Sequence, residues 1–400
     1  MSGVAEVFRA FLKLGVTSFG GPVAHLGYFR EELVAKRKWV SEAQYGEIVA
    51  LCQFLPGPAS SQVGFALGLI RGGTLGAIAA WIAFTIPSAL LLVLFAVGAV
   101  SLDGALGRGI FMGLTAVAAA VVAHAVWGMS RTLTPDATRI VIGVAALALA
   151  LLLPGNLGQV AAILLGIVAG LIWCRRAATH DSAPLQVRVS RSAGVVALAL
   201  FVILLVGLPL LATLVRSSWV TLVDAFYRSG ALVFGGGHVV LPLLKAEPAI
   251  ASAVSPDQIL AGYGAAQAVP GPLFTFAAFL GFEMGDGGSA VLSALVALLA
   301  IFVPGILLLV AALPFWNRLR ENTAVRSAMA GANAAVVGIL AAALWNPVIT
   351  SGVTGLAALV IAAIGLAMLL VGKLPAWSVV IMGAVLGAVA GLTGVGLTWG

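Results

Sequence analysis

Residues 52–62 read CQFLPGPASSQ and sit inside an otherwise apolar run. Pro56 and Pro58 each lack a backbone N–H and clash with the preceding helical turn, while Gly57 tolerates dihedrals closed to other residues. Glu47 to Leu55 makes about two and a half helical turns and Ala59 to Ile70 about three. At about 1.5 Å per residue each piece covers roughly half a bilayer core. The segment is therefore predicted to break at mid-depth. It is either a kinked spanning helix, a re-entrant hairpin, or a broken helix at a binding site. Unwound backbone at that depth is tolerated only where protein buries it or a cavity adjoins it.

Composition supports a membrane setting for that break. The 400-residue chain is 62% hydrophobic and only 9% charged, with a mean hydropathy of +1.14, against about 25% charge in a soluble domain. Long Leu/Ala/Val/Gly-rich runs without strict alternation read as helices rather than barrel strands. The net charge of +7 reflects cytoplasmic Lys and Arg, not nucleic-acid binding. Cys52 and Cys174, like His25, His124, His180 and His238, show no metal spacing, and no cofactor motif is present. No Walker motif appears, so ATP drive would require a partner. MSGVAEVFRAFLKLG has no cleavable-signal pattern, and Glu6, Arg9 and Lys13 make one polar stripe suited to an interface.

The chain repeats itself about a polar linker, RRAATHDSAPLQVRVSR at 175–191. SFGG at 18–21 is echoed by VFGGG at 233–237, an offset of 215. At 214, Ser41, Gln44, Gln53, Pro56, Gly57 and Pro58 meet Ser255, Gln258, Gln267, Pro270, Gly271 and Pro272. At 217, Pro87 meets Pro304; at 218, Arg108, Gly113 and Trp127 meet Arg326, Gly331 and Trp345. Ser41-x-x-Gln44 and Ser255-x-x-Gln258 are both capping boxes. The expected organisation is a first repeat at 1–174, a linker with a connecting helix at 175–218, and a second repeat at 219–400.

Basic residues orient the segments. If 5–28, 46–70, 219–244 and 258–284 each enter and leave on one side, nine other segments span. All of the 21 Lys and Arg except Arg108, Arg216, Arg228 and Lys245 then fall on one face. Thirteen spans would instead put Lys36, Arg37 and Lys38 opposite the Arg-rich linker, against the positive-inside tendency. The expected fold is thus an all-α polytopic membrane protein with two inverted-topology repeats and a cytoplasmic N-terminus. It has about nine spanning helices plus four re-entrant or broken segments, with thirteen spans as the alternative. Discontinuous helices meeting near the midplane are typical of secondary transporters.

SFGGPVAHLGYFREELV, KRKWVSEAQYGEIVALCQFLPGPASSQVGFALGLIRGG and AAWIAFTIPSALL resemble the chromate ion transporter family. FGGGHVVLP and AVPGPLFTFAAFLG resemble its second copy, so the likeness spans nearly the whole chain in the long, two-domain form. The resemblance implies export of chromate, or a related oxyanion such as sulfate, across a prokaryotic inner membrane, driven by an ion gradient. The proton is the expected coupling ion. It implies a transporter, not an enzyme; an uncoupled oxyanion channel on the same scaffold is the alternative.

A tetrahedral dianion needs donors where water is scarce, and half-helix N-termini supply them. Ser60 and Ser61, with Ala59 and Gln62, open the half-helix after the first Pro-Gly-Pro. Thr275 follows the second, so the first half is expected to give more hydrogen bonds. Gln53 and Gln267 lie one turn before each break, as ligands or as interhelical hydrogen-bond partners. Gly20, Gly21 and Pro22, with Gly235, Gly236 and Gly237, mark other broken elements that permit close approach or close packing. His25 and His238 could bind the anion when protonated or relay a proton. Arg71 and Arg228 are the candidate anion charges, Glu47 a candidate coupling acid, and Asn333 a further polar group facing the site. Small-residue faces such as GANAAVVG, 331–338, could pack within the subunit or in a homodimer.

Overall fold

The computed structural model describes residues 3–19, 21–100, 104–153, 155–174, 189–234, 237–319 and 321–394. Gly20, Gly235, Gly236 and most of the expected linker, 175–188, lie outside the described residues. Every regular element described is helical. In the first half these are α1 (Gly3–Thr17), α2 (Gly21–Phe29, continued as a π-helix over Arg30–Lys36), α3 (Glu42–Phe54), α4 (Ala59–Val100), α5 (Gly104–Leu133), α6 (Ala137–Leu152) and α7 (Gly155–Trp173). The connecting helix is α8 (Arg191–Val215). The second half holds α9 (Ser218–Ala231), α10 (Val240–Ala246), α11 (Pro248–Ala253), α12 (Pro256–Ala268), α13 (Phe276–Glu283) and α14 (Ala290–Ala312). It ends with α15 (Trp316–Leu319), α16 (Thr323–Ala343), α17 (Thr350–Gly352), α18 (Leu356–Leu370) and α19 (Ala376–Thr393).

Among the described residues, six stretches are long and apolar enough to cross a membrane: Ala59–Gly98, Gly104–Leu133, Arg191–Val215, Gly287–Phe315, Thr323–Asn346 and Ala376–Thr393. Shorter apolar helices, Ala137–Leu152, Leu157–Trp173, Leu273–Glu283 and Leu356–Leu370, accompany them. Large apolar side chains stand exposed along their outer faces, for example Leu94, Val141, Leu214 and Val291. Water would not tolerate that surface; hydrocarbon does. The chain is a multi-pass membrane protein.

The first of the long stretches is two limbs. Gly72 and Gly73 leave helical dihedrals, with φ +63° at Gly73, and the chain folds back so that Gly68 abuts Gly76, Ala77 and Ala80. Both Pro-Gly-Pro segments are hairpins whose ends meet. Trp39, before α3, and Arg71, after the first limb of α4, both donate to Glu6, at 3.0 and 2.8 Å. In the second copy, Gln258 Nε2 at the start of α12 donates to Glu283 Oε2 at the end of α13, at 2.8 Å.

The elements preceding them are closed hairpins too. Lys13 on α1 pairs with Glu32 at 2.7 Å, and Phe11 meets Phe29 edge-on at 5.5 Å. Arg228 on α9 pairs with Glu247 at 2.6 Å. The two ion pairs stand 215 residues apart at both ends, so they are one clasp made twice. α1 does not lie alone in an interface: Val7, Ala10, Phe11 and Leu14 are buried, and Glu6 and Lys13 of its polar stripe meet these partners.

Beyond the hairpins the halves exchange helices. α5 packs on α18 and α19, while α16 packs on α6 and α7. Glycines form both seams: Gly109 and Gly113 against Gly383, Gly387 and Gly391, and Gly331 against Gly166 and Gly170. Without a hydrophobic drive between helices in lipid, such backbone contact is what holds them. The GANAAVVG face is thus used within the chain, with Gly338 on Gly143.

Gly113→Val and Gly331→Val should each destabilise the detergent-solubilised protein by about 1–3 kcal/mol for an overpacked contact, read as a lowered unfolding midpoint. Gly128→Ala, at a position with open space around it, should leave the midpoint in place.

Candidate functional site

Both breaks form as the prolines dictate. α3 stops at Phe54 and α4 starts at Ala59; α12 stops at Ala268 and a 3-10 turn, Leu273–Thr275, leads into α13. The capping boxes at Ser41 and Ser255 are both made. Gly57 has φ +119° and Gly271 φ +102°, conformations that only glycine adopts without strain.

The breaks are tied crosswise. Gly57 N–H donates to Val233 O at 2.7 Å, and Gly271 N–H donates to Ser18 O at 2.9 Å. Ser18 and Val233 are equivalent positions, each just before its own glycine pair. Each corner also sits against the helix of the other half that carries an internal proline. A Cβ on Gly57 would lie 3.0 Å from Gly305 Cα, and one on Gly271 3.0 Å from Ser88 Cβ. Gln62 Nε2 donates to Pro56 O at 3.0 Å and to Gly305 O at 2.9 Å. Thr275 donates to Pro272 O at 2.7 Å and accepts from Ser88 at 2.6 Å. Gln62 and Thr275 therefore staple the corners.

His25, at the second turn of α2, links the two corners. Its Nδ1 lies 3.3 Å from Ser60 Oγ, and its ring also meets the Ser18 main chain, whose carbonyl holds Gly271. Among the described residues, Ser18 Oγ, His25 Nε2, Ser61 Oγ and Gln267 Nε2 are buried without a hydrogen-bond partner. Such atoms are uncommon in a finished core.

The remaining candidates divide. Gly21 and Pro22 open α2, and Gly237 opens the short turn Gly237–Val239. Pro58, Pro270 and Pro272 are buried at the corners and Pro56 partly so. Gln267 is buried, whereas Gln53 is exposed. His238 Nδ1 lies 2.8 Å from Tyr263 Oη, and Tyr263 faces Gln267 one turn along α12. Asn333 sits on α16, which packs on the turn holding His238, and its Oδ1 is buried without a partner.

Both candidate arginines are neutralised. Arg71 is held by Glu6; Arg228 is held by Glu247 and, at 3.2 Å, by Asp224. The Arg71 hydrogen bonds keep the Glu6 carboxyl below its usual range. Glu47 is buried and accepts from Trp316 Nε1 at 2.9 Å, bracing one half against the other. Sequence reasoning missed Ser18 and Tyr263 as members of this region. The 215-residue offset marks Ser18, opposite Val233, but nothing local to Tyr263 does.

Two sets of broken helices, closed by ion pairs and meeting inside a multi-pass helical bundle, define the interior of a polytopic membrane protein built on helix breaks. The chain belongs to the chromate transporter family: the profile described as "Chromate transporter" matches residues 5–171 and again 220–388. It is 29% identical over 355 residues to the "Probable chromate transport protein" of Synechococcus elongatus, covering 85% of this chain and 83% of that one. It is 27% identical over 344 residues to the "Chromate transport protein" of Pseudomonas aeruginosa, covering 84% and 79%. It is 26% identical over 347 residues to the "Chromate transport protein" of Cupriavidus metallidurans, covering 85% and 81%. No solved structure matches the chain significantly.

Gly57→Ala and Gly271→Ala should each destabilise the protein by about 1–3 kcal/mol through the positive φ alone, with the contacts to Gly305 and Ser88 adding to it. Thermal unfolding of the purified variants checks this.

Proposed function

We propose that this protein exports chromate, or a tetrahedral oxyanion of the same shape, as a secondary active transporter with its site between the two Pro-Gly-Pro corners. The carrying observation is the set of buried, unpartnered polar atoms of Ser18, His25, Ser61 and Gln267 around the crossed corners. With them come the unpaired first N–H groups of the helices that start at Ala59 and Leu273, a favourable setting for an anion. Because Arg71 and Arg228 are held by carboxylates, the anion is met by dipoles rather than by a free guanidinium. Gly21, which opens α2, follows Ser18 by three residues in the same region.

In this reading the two halves are inverted repeats. Nine segments span: the second limb of α4, then α5, α6, α7, α8, α14, α16, α18 and α19. Four elements re-enter: α1 with α2, α3 with the first limb of α4, α9 with α10, and α12 with α13. The meeting of Trp39 and Arg71 at Glu6, and of Gln258 with Glu283, supports re-entry. The membrane is the inner membrane, with the N-terminus cytoplasmic. His238, hydrogen-bonded to Tyr263 on the second half only, is the proton-bearing candidate; the equivalents of His238 and Tyr263 in the first half are Val23 and Val49.

In proteoliposomes, Ser61→Ala and Gln267→Leu should each raise the KM for chromate by about tenfold, the size of one hydrogen bond to a charged group. His238→Gln should abolish uptake driven by a proton gradient while leaving chromate counterflow intact. Unchanged KM in both site variants would overturn the site. An ohmic flux indifferent to the gradient would make the protein a channel.

A further inference from the structure

Away from the corners, a groove of about 520 Å³ opens between the end of α5, α6 and α16. Its mouth is polar, formed by Ser130, Arg131 and Thr134, and its body is apolar, formed by Val144, Leu147, Val337 and Ala341. The floor exists because Gly143 and Gly338 bring α6 and α16 into backbone contact and offer no side chain to fill the space above.

The charge at the mouth is available. Arg131 is exposed, and its guanidinium lies over the ring of Trp127 at 5.0 Å. Among the described residues no carboxylate pairs with it, whereas the neighbouring Arg139 is taken by Asp136 at 3.3 Å. Trp127 itself is largely exposed. An exposed Trp beside a free Arg, at the end of an apolar helix, is the chemistry of a membrane interface.

The other half lacks the device. At the 218-residue offset Trp127 becomes Trp345, also exposed, but Arg131 becomes Ile349. The cation is present only on the face where the chain concentrates its Lys and Arg, the face next to an anionic leaflet.

We propose that this groove is a binding site for one anionic glycerophospholipid, its phosphate at Arg131 and one acyl chain along Val144, Leu147, Val337 and Ala341. The volume is on the scale of a single chain, and the polar-to-apolar order of the lining matches the order of groups in a lipid. A zwitterionic lipid offers the same chain but brings its own cation to the phosphate, so the preference is for net negative headgroups. This inference rests on the membrane assignment and on the sidedness proposed above, but not on the transport site, so the groove and the oxyanion site can each fail alone.

The test uses the full chain, purified in detergent and offered phosphatidylglycerol and phosphatidylcholine of the same chain length in equal amounts, with bound lipid read by native mass spectrometry. The wild type should retain phosphatidylglycerol preferentially. Arg131→Gln should reduce the bound fraction about fivefold, as for loss of one basic contact near a lipid phosphate. Val144→Trp, which fills the groove and leaves the mouth intact, should reduce retention of both lipids. Equal retention of the two lipids by the wild type would overturn the proposal, as would phosphatidylglycerol binding indifferent to both substitutions. Displacement of phosphatidylglycerol by inorganic phosphate would also overturn it, by making the mouth a free-anion site.

Discussion

A backbone N–H buried among apolar helices has no water to turn to, and that constraint organises this protein. Each Pro-Gly-Pro corner frees the amide of its central glycine. The partner is found in the other half of the chain: Gly57 on Val233 O and Gly271 on Ser18 O. Neither break can be completed by its own repeat. The exchange of α6 and α7 onto α16, and of α18 and α19 onto α5, extends the same dependence to the scaffold. The corners are therefore held from outside, each by the opposite half.

Charge in the interior is arranged with the same economy. Lys13–Glu32 and Arg228–Glu247 are one clasp repeated, and Arg71–Glu6 closes the first Pro-Gly-Pro hairpin where its ends meet. Of these, Arg228–Glu247 is the most buried, and removing its arginine would leave an uncompensated carboxylate, which costs far more than the intact pair contributes. These arginines thus serve geometry first. Among the described residues, hydroxyls, an amide and an imidazole remain beside the corners. In the proposed site, fixed dipoles would release an anion more readily than a free guanidinium, which would suit a carrier.

The breaks, capping boxes and their repetition were legible because proline, glycine and Ser-x-x-Gln act locally, through a missing N–H, a positive φ and a side chain reaching three residues on. The roles of individual polar residues were not. Gln53 and Gln267 match in sequence, yet one is exposed and the other buried, because α12 packs on α5 and α19 of the bundle while α3 packs chiefly on its own neighbour α4. Arg228 and Arg71 read as spare cations only until their carboxylates, up to 65 residues away, were brought to them. Glu47 reads as a lone intramembrane acid until Trp316, 269 residues on, donates to it.

By itself the sequence determined the membrane setting, the two copies and the positions of the two Pro-Gly-Pro corners, since hydropathy, chain repetition and backbone breaking are properties of short stretches. Only the tertiary structure decided that each corner is satisfied by the opposite copy, that glycine seams join the halves, and which polar atoms are left unpartnered beside the breaks. Those outcomes depend on distances between residues far apart along the chain, which packing sets and no local pattern encodes.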